Sequence, residues 1–266
     1  MPEFLGAAGT TLHYDLHGDG PLLVCQPGGP AAPASYLDDL GGVGRKLLLL
    51  DPRGVGPSEA APAYALGDLA DDLEALRVHL GLEKLDLLGQ SAGAWPPLQY
   101  AARHPGRVAH LVLLTPSRIP IPLQPGELDR AALAEHYFGA EPWFPAAIAA
   151  FTGDDGDPTD YAPIIYAADT PAVRAHAARS DNGPQNIEAR NAFWSIPFDR
   201  AELDRLTAPV TIIAGDQDIV TGPLAPEILA SWFPKAKLSW LRGVGHLPWV
   251  VDPAATAAAI EAALTA

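Results

Sequence analysis

Short, continuous apolar runs alternate along the chain with segments whose apolar residues recur at helical spacing. The runs are typical of strands buried on both faces, because a half-exposed strand would alternate apolar and polar residues. Such strands, separated by helices, predict a mainly parallel sheet that is covered by helices on both faces. The predicted buried strands are Leu22–Cys25, Lys46–Leu50, Lys84–Leu88, Val108–Thr115, Pro209–Gly215 and Ala236–Leu241, and Phe4–Leu16 predicts two shorter strands around an Ala8-Gly9 turn.

The helical segments are marked by leucine spacing and by residues that start or stop helices. Asp68 is a candidate N-cap and Gly81 a stop signal for the first long helix. A second helix is predicted to run to about Arg103 and to be kinked by Pro96-Pro97, since proline removes intrahelical hydrogen bonds. The apolar face of the first helix consists of Leu69, Leu73, Leu76 and Leu80, and two later helices are predicted at Pro226–Phe233 and Pro253–Leu264.

The pattern changes between residues 116 and 199, where prolines and aromatic residues recur and no strand is evident. This stretch is predicted to be a mostly helical cap, inserted between two parts of one sheet domain at 1–115 and 200–266. The acidic run Asp154-Asp155-Gly156-Asp157 lacks the ligand spacing of a calcium loop, so we expect a solvated turn there.

Composition excludes several classes of function. The formal net charge of −15 disfavours nucleic-acid binding, because phosphates would be repelled. The single cysteine, Cys25, excludes an internal disulfide framework, and we expect it to be a small core residue. No run approaches the length of a membrane span and no signal peptide is visible, so we expect a cytoplasmic protein that binds a small molecule or a short peptide and no membrane. The oligomeric state stays open.

One candidate for chemistry is the serine of Gly89-Gln90-Ser91-Ala92-Gly93, which follows a buried strand and precedes a helix. A serine at such a turn has an exposed hydroxyl, and flanking glycines give room where a Cβ would clash. Small residues also meet by chance at ordinary strand–helix junctions, so the pentapeptide alone does not establish a nucleophile.

A serine needs a base, and the base works best when a carboxylate orients it. His246 follows the last predicted strand in a glycine-flanked loop, and Asp218 follows the strand before it. The carboxyl ends of parallel strands share one edge of the sheet, so Ser91, Asp218 and His246 should meet there. Asp216 is the alternative carboxylate.

Backbone amides are the expected oxyanion donors. The amide of Ala92, directly after the nucleophile, is one candidate. For the second we favour Gly29 over Gly28, in the loop after the strand that contains Cys25. Nothing in this set calls for a metal or an organic cofactor.

Three stretches resemble the proline iminopeptidase-type branch of the α/β-hydrolases. Pro27-Gly28-Gly29-Pro30 is similar to the His-Gly-Gly-Pro loop of that branch, Asp51–Ser58 to its Asp-x-Arg-Gly-x-Gly-x-Ser turn, and the serine pentapeptide to its nucleophile elbow. The closing Gly-His-Leu-Pro-Trp around His246 also fits. The resemblance spans about Phe4–Pro116 and Asp199–Ala266 and implies an α/β-hydrolase fold, with Ser-His-Asp hydrolysis of an ester or amide through an acyl-enzyme.

Two positions depart from that branch, and the cap cannot be aligned with it residue by residue. Pro27 stands where the branch has histidine, and Gln90 stands where its peptidases often have glycine. Such peptidases recognise a substrate amine through acidic residues of the cap. The candidates here are Glu141, Asp160, Asp181 and Glu188, each of which we interpret first as a surface charge.

Aromatic side chains are the expected walls of a small, apolar substrate pocket. Three functions stay open: an N-terminal peptidase, an esterase, lactonase, thioesterase or pathway-specific natural-product enzyme with the same triad, and a ligand-binding member without hydrolysis. A buried cap carboxylate facing Ser91 would favour the first function, and an all-apolar roof would favour the second. The candidate pocket residues are Trp95, Trp143, Phe144, Tyr166, Trp194 and Trp249.

Overall fold

The computed structural model describes residues 2–118, 120–123, 128–153, 156–180, 186–194 and 199–265, without the side chains of Ser180 and Trp194. Eight strands form one sheet in the order β1-β2-β4-β3-β5-β6-β7-β8. β2 is antiparallel to β1 and β4, and the other neighbours are parallel, as the apolar runs predict. The strands are β1 Glu3–Leu5, β2 Thr11–His17, β3 Leu22–Gln26, β4 Lys46–Leu50, β5 Leu85–Gln90, β6 Val108–Leu114, β7 Val210–Gly215 and β8 Lys237–Leu241.

The described part of the chain contains ten α-helices, five of them between β6 and β7. Four of them lie at the predicted helices, five lie in the stretch predicted to be mostly helical, and one four-residue helix was not predicted. The helices are α1 Leu66–His79, α2 Trp95–Arg103, α3 Arg130–Phe138, α4 Phe144–Thr152, α5 Pro158–Tyr166, α6 Pro171–Ser180, α7 Ile187–Trp194, α8 Leu224–Ser231, α9 Pro248–Val251 and α10 Pro253–Ala263.

Two expectations about helix starts were wrong. α1 begins at Leu66, and the Asp68 carboxylate reaches back to accept the Ala65 N–H at 3.0 Å, so Asp68 lies in the first turn instead of capping it. α2 begins at Trp95, which places Pro96-Pro97 in its first turn. The amide of a first-turn residue needs no intrahelical acceptor, so the prolines fit there without a kink.

The sheet separates two apolar cores, which explains why its strands have no polar face. Leu48 and Leu50 of β4 point into a core shared with α1, α2 and α8. Leu47 and Leu49 point into the opposite core, which contains Trp249 and helix α10. Cys25 is fully buried in this second core and burial strongly raises the pKa of its thiol, consistent with the predicted structural role.

The turn after β4 is held by a buried ion pair. The Arg53 guanidinium donates to both carboxylate oxygens of Asp72 on α1, each at 2.7 Å, and Arg53 is 2% exposed. Asp51 accepts the Ala34 N–H at 2.8 Å. Both residues therefore stabilise the turn that follows β4.

The helices α3–α7, here called the cap helices, have an apolar core of their own formed around Phe138, Phe144 and Ile164. The division at 1–115, 116–199 and 200–266 stays a prediction. Of the acidic run, Asp154 and Asp155 lie outside the described residues, while Asp157 accepts the Thr159 N–H at 2.8 Å at the start of α5. No described helix is long and apolar enough to cross a membrane.

Candidate active site

Ser91 lies at a sharp turn between β5 and α2, with a backbone φ of +53°. A positive φ is strained for a residue with a side chain and is concentrated at functional sites. The turn depends on close backbone contacts at both flanking glycines. A Cβ on Gly89 would lie 2.3 Å from the Gly93 carbonyl oxygen, and one on Gly93 would lie 2.2 Å from the Pro27 carbonyl oxygen. The two glycines therefore let the turn form against the neighbouring loop.

The structure brings the three predicted triad residues together. Ser91 Oγ lies 2.9 Å from His246 Nε2, and His246 Nδ1 lies 2.8 Å from Asp218 Oδ2. Ser91 follows β5, Asp218 follows β7 and His246 follows β8, so all three lie at the carboxyl edge of the sheet. This is the geometry in which a carboxylate orients a histidine that can accept the serine proton.

Asp218 is built to remain an ionised acceptor. Its Oδ1 accepts the Val220 N–H at 2.8 Å and the Thr221 N–H at 3.2 Å, and its Oδ2 also accepts the Thr221 hydroxyl. Burial by itself would raise the pKa of this carboxyl, but the charge of His246 and the hydrogen bonds outweigh burial and hold the pKa below its ordinary value.

Asp216, the alternative carboxylate, points elsewhere. It accepts the Gly243 N–H at 2.7 Å and lies 3.3 Å from Arg242 in a solvent-exposed pair. The structure thus places Asp218, and not Asp216, against the imidazole.

Both residues expected to supply oxyanion donors line the same cleft as Ser91. Gly29 and Ala92 both line it, and Ala92 is in the first turn of the helical segment that starts at Ser91, where amides have no intrahelical acceptor. The Gly28 amide donates instead to the Tyr36 hydroxyl at 2.7 Å. The Gly29 amide has no hydrogen-bond acceptor among the residues that the structure describes.

Gln90, one departure from the resemblance, connects the two loops beside Ser91. Its Oε1 accepts the Tyr36 hydroxyl at 2.5 Å, and its Nε2 donates to Thr115 Oγ1 at 3.0 Å and to the His246 carbonyl at 3.4 Å. The Tyr36 hydroxyl in turn accepts the Gly28 N–H, so Gln90 connects the glycine loop, residues 27–30, to the histidine loop, residues 243–247. The sequence flagged Gln90 as unusual but carried no signal for these partners.

The cap helices dock directly on the histidine loop. The Gly245 N–H donates to the Tyr166 carbonyl at 3.0 Å, and the His246 N–H donates to the Ile165 carbonyl at 2.8 Å. These carbonyls belong to the last turn of α5, which otherwise leaves its carbonyls without partners. The position of His246 therefore depends on the cap as well as on β8.

The triad opens into a cleft of about 400 Å³ between the sheet edge and the cap. Its roof is formed by α5 and Ala177 of α6. The described lining consists of Gly29, Ala32, Tyr36, Gln90, Ser91, Ala92, Ser117, Arg118, Arg130, Pro158, Tyr161, Ala162, Ile165, Tyr166, Ala177, Val220, His246 and Leu247.

Of the predicted pocket aromatics, only Tyr166 is in this described lining. Trp95 is 2% exposed and packs under the sheet against Trp232 at 6.4 Å between ring centroids. Trp249 is buried behind Tyr36, at 6.1 Å between ring centroids. These two predictions are corrected because proximity along the chain to Ser91 or His246 does not fix the direction of a side chain.

The predictions for the cap tryptophan and phenylalanine are corrected as well. Phe144 is in the cap core and Trp143 packs against it, with the Trp143 ring 5.4 Å from that of Phe138. These side chains stabilise the cap helices against one another instead of facing the triad. The Trp194 side chain lies outside the described residues.

The charges around the cleft are cationic. Arg118 and Arg130 line it, and no carboxylate belongs to its described lining. The candidate amine-binding residues Glu141, Asp160 and Glu188 are solvent-exposed, and Asp181 lies outside the described residues. Across the residues that the structure describes, no cluster of histidine, cysteine and carboxylate side chains could hold a metal ion. Sequence reasoning missed both arginines, although Arg118 closely follows β6 at the same sheet edge.

His176 joins the cap to the glycine loop. Its Nε2–H donates to the Tyr36 carbonyl at 2.7 Å, so Nδ1 is the atom that accepts the Tyr166 hydroxyl, also at 2.7 Å. The Asp38 carboxylate, which also pairs with Arg179, lies 3.6 Å from Nε2. Burial, outweighing the Tyr36 hydrogen bond and the charge of Asp38, lowers the pKa of His176.

The lowered pKa of His176 should therefore make the free energy of unfolding decrease as the pH falls. An unfolded-state histidine has a pKa of about 6.5, and the pKa of His176 is lower in the folded protein. Between these two pKa values the unfolded state binds more protons than the folded state, so acidification lowers the free energy of unfolding by up to about 1.4 kcal/mol per pH unit. We expect His176→Gln to destabilise the protein more at pH 8 than at pH 5, by about 1 kcal/mol, in urea unfolding. Because all other groups are shared, parallel pH profiles of the two proteins would contradict this linkage.

Comparison with known proteins places this geometry in a family. Residues 21–253 match the α/β hydrolase fold family. "Putative carbamate hydrolase RutD" of Variovorax paradoxus is 29% identical over 260 residues, covering 91% of this chain and 92% of that protein. "Probable proline iminopeptidase" of Streptomyces coelicolor is 36% identical over 173 residues, covering 62% of this chain and 50% of that protein.

Among solved structures, an esterase from Exiguobacterium antarcticum superposes with a TM-score of 0.76 at 19% identity, covering 99% of each chain. The structural likeness confirms the predicted fold, and the sequence relatives confirm the predicted resemblance to hydrolases that include proline iminopeptidases. With most of its length matched, the chain belongs to the α/β-hydrolase fold family.

Proposed function

We propose that this protein is a serine hydrolase that cleaves an ester-type acyl bond of a small substrate. The carrying observation is the continuous chain of contacts from Ser91 Oγ to His246 Nε2, at 2.9 Å, and from His246 Nδ1 to Asp218, at 2.8 Å. The Ser91 side chain opens into the cleft, so a substrate carbonyl can reach it.

In this mechanism Ser91 Oγ attacks the substrate carbonyl carbon while His246 takes the hydroxyl proton. The amides of Gly29 and Ala92 stabilise the oxyanion, and Asp218 stabilises the imidazolium. Collapse of the tetrahedral intermediate releases the alcohol, which takes its proton from His246. Water, deprotonated by His246, then attacks the acyl-enzyme. The second tetrahedral intermediate expels Ser91 Oγ, which takes the proton back from His246, so that one ester and one water yield one acid and one alcohol.

The charges around Ser91 favour ester-type chemistry over release of an N-terminal residue. Recognition of a free amine requires an anionic or strongly accepting partner, because an ammonium group loses its hydration in the cleft. The described lining instead presents the cations Arg118 and Arg130. An N-terminal peptidase is the competing hypothesis, because the chain is similar in sequence to the probable proline iminopeptidase of Streptomyces coelicolor.

Three substrates separate these functions: 4-nitrophenyl butyrate, prolyl 4-nitroanilide and its N-acetylated twin. We expect the purified protein to hydrolyse the ester and to show no preference for the free prolyl amide over the blocked one. The measured quantity is kcat/KM for each substrate at pH 7.5. Cleavage of the free amide, with little cleavage of the ester or the blocked amide, would instead assign the cleft to an N-terminal peptidase.

A further inference from the structure

Two arginines in the catalytic cleft have no carboxylate partner among the described residues. Arg118 is partly buried, and its Nε atom is buried without a hydrogen-bond acceptor in the described part of the chain. Arg130 is more exposed, and its described side-chain contact is a long hydrogen bond of 3.3 Å from Nη2 to the Val220 carbonyl. Both side chains line the cleft that contains Ser91.

The two cleft arginines belong to a chain that has 32 acidic and 17 basic residues, and several of its other arginines pair with carboxylates. Arg53 is paired with Asp72, Arg77 with Glu74, and Arg179 with Asp38. A buried donor without an acceptor costs free energy until a ligand accepts its hydrogen bond. The cleft thus concentrates unsatisfied positive charge in a protein that has a surplus of carboxylates.

The two cations also act on each other. Desolvation, followed by repulsion from Arg118, lowers the pKa of Arg130 from its ordinary value, although the charge of Asp218 acts in the opposite direction. An anion placed between them would relieve both the repulsion and the unsatisfied Nε–H. A guanidinium group matches the planar geometry of a carboxylate through two parallel hydrogen bonds.

The position of Arg118 ties this charge to the reacting centre. It follows Ser117, whose N–H donates to the Ser91 carbonyl at 3.0 Å. Arg130 is the first residue of α3, on the cap side of the cleft. A small substrate bound at Ser91 would therefore lie within the same 400 Å³ as both guanidinium groups.

We propose that the substrate carries a carboxylate, which Arg118 and Arg130 bind while Ser91 attacks a separate ester carbonyl of the same molecule. The substrate class is thus a carboxylate-bearing ester, either a monoester of a dicarboxylic acid or an ester whose alcohol carries the carboxylate. The arginines position the substrate and take no part in bond breaking. This inference rests on the proposed serine hydrolase function.

The test compares carboxylate substrates with neutral twins of the same shape. One arm uses mono-4-nitrophenyl adipate against its primary-amide twin, with the carboxylate on the acyl side. The other uses 4-carboxyphenyl butyrate against 4-carbamoylphenyl butyrate, with the carboxylate on the leaving group. We expect kcat/KM to favour the carboxylate twin by about 10- to 100-fold in one arm, the range of a charge-assisted hydrogen bond. The net charge of −15 repels anions, so any such preference must arise locally.

Substitutions assign the preference to the arginines. Arg118→Gln should lower the ratio of the two kcat/KM values about tenfold, and Arg118→Gln with Arg130→Gln should bring it near one. Arg118→Lys keeps the charge without the paired donors and should retain part of the ratio. Arg103→Gln is the matched control, since Arg103 pairs with Asp71 on another surface and its loss changes the net charge equally. Thermal melts identify any variant that has not folded.

The outcomes separate the two proposals. A wild-type ratio near or below one in both arms, with Ser91-dependent cleavage of the neutral esters, would overturn the carboxylate site and leave the serine hydrolase function standing. A ratio that persists in the double variant would also overturn it. If no ester is cleaved and Ser91 does not react with a fluorophosphonate, the hydrolase function itself fails.

Discussion

Ser91→Ala is expected to lower kcat for 4-nitrophenyl butyrate by roughly 10⁶-fold, to the limit set by background hydrolysis. Removing the hydroxyl removes the only atom of the triad that can bond to the acyl carbon, and loss of the nucleophile in such a unit costs about as much as loss of the whole unit. The measurement is steady-state release of nitrophenolate, corrected for the rate without enzyme. Activity above a tenth of wild type would exclude Ser91 as the nucleophile.

The fold should survive this substitution. Alanine at residue 91 has the same positive φ as serine, and the described side-chain bond that is lost is the one to His246. We expect the loss of this one hydroxyl to change the free energy of unfolding by less than about 1 kcal/mol, so the melting temperature should stay close to that of wild type.

A second serine in the cleft supplies the control for labelling. Ser117 lines the same cleft as Ser91. We expect a fluorophosphonate to add one label to wild type and to Ser117→Ala, and none to Ser91→Ala, by intact-protein mass spectrometry. If Ser117→Ala lost the label and Ser91→Ala kept it, the nucleophile would be Ser117, which follows β6.

The triad could be predicted because the positions of its residues relative to the buried strands can be read from the sequence. Ser91, Asp218 and His246 each come just after a buried apolar run, and parallel strands bring such ends to one edge. Asp218 lies further past the end of β7 than Asp216 does, and this position favours it as the carboxylate that reaches His246. The structure agrees, since the Asp216 carboxylate is taken up by the Gly243 amide.

The substrate pocket could not be predicted in the same way. Trp143 and Phe144 mark a buried face of the cap, but an aromatic pattern does not state what covers that face. In the structure the cap helices bury these rings against Phe138, and residues of the adjacent helix α5 line the cleft instead. Side-chain direction at helix ends is set by packing between helices that are distant in sequence.

Arg118 shows a signal that was present and not used. It lies four residues after the last residue of β6, at the edge where Asp218 and His246 were sought. The resemblance to aminopeptidases predicts acidic partners for a substrate amine and gives no reason to expect a cation at this edge. Charged residues of either sign that follow the strand ends are therefore candidates for the site, and their charge indicates the opposite charge on the ligand.

Asp218→Asn is expected to lower kcat by about 10⁴-fold while leaving the fold intact. The Asp218 carboxylate only accepts, so it requires a proton on His246 Nδ1 and leaves Nε2 free to accept the Ser91 proton. An asparagine amide can donate to Nδ1 instead, which places the imidazole proton on Nε2, where it blocks the serine. The pKa of Asp218 is held low, so the carboxylate is ionised throughout the neutral pH range in which activity is measured.

Asp216→Asn is the matched control, with the same chemical change two residues away. Its carboxylate contacts Gly243 and the exposed Arg242, and an asparagine Oδ1 can still accept the Gly243 N–H. We expect kcat within about threefold of wild type, in the same nitrophenolate assay. If instead Asp216→Asn lost activity and Asp218→Asn kept it, Asp216 would be the carboxylate that orients His246. A large loss in Asp218→Asn alone would show that the buried 2.8 Å contact sets the tautomer on which attack by Ser91 depends.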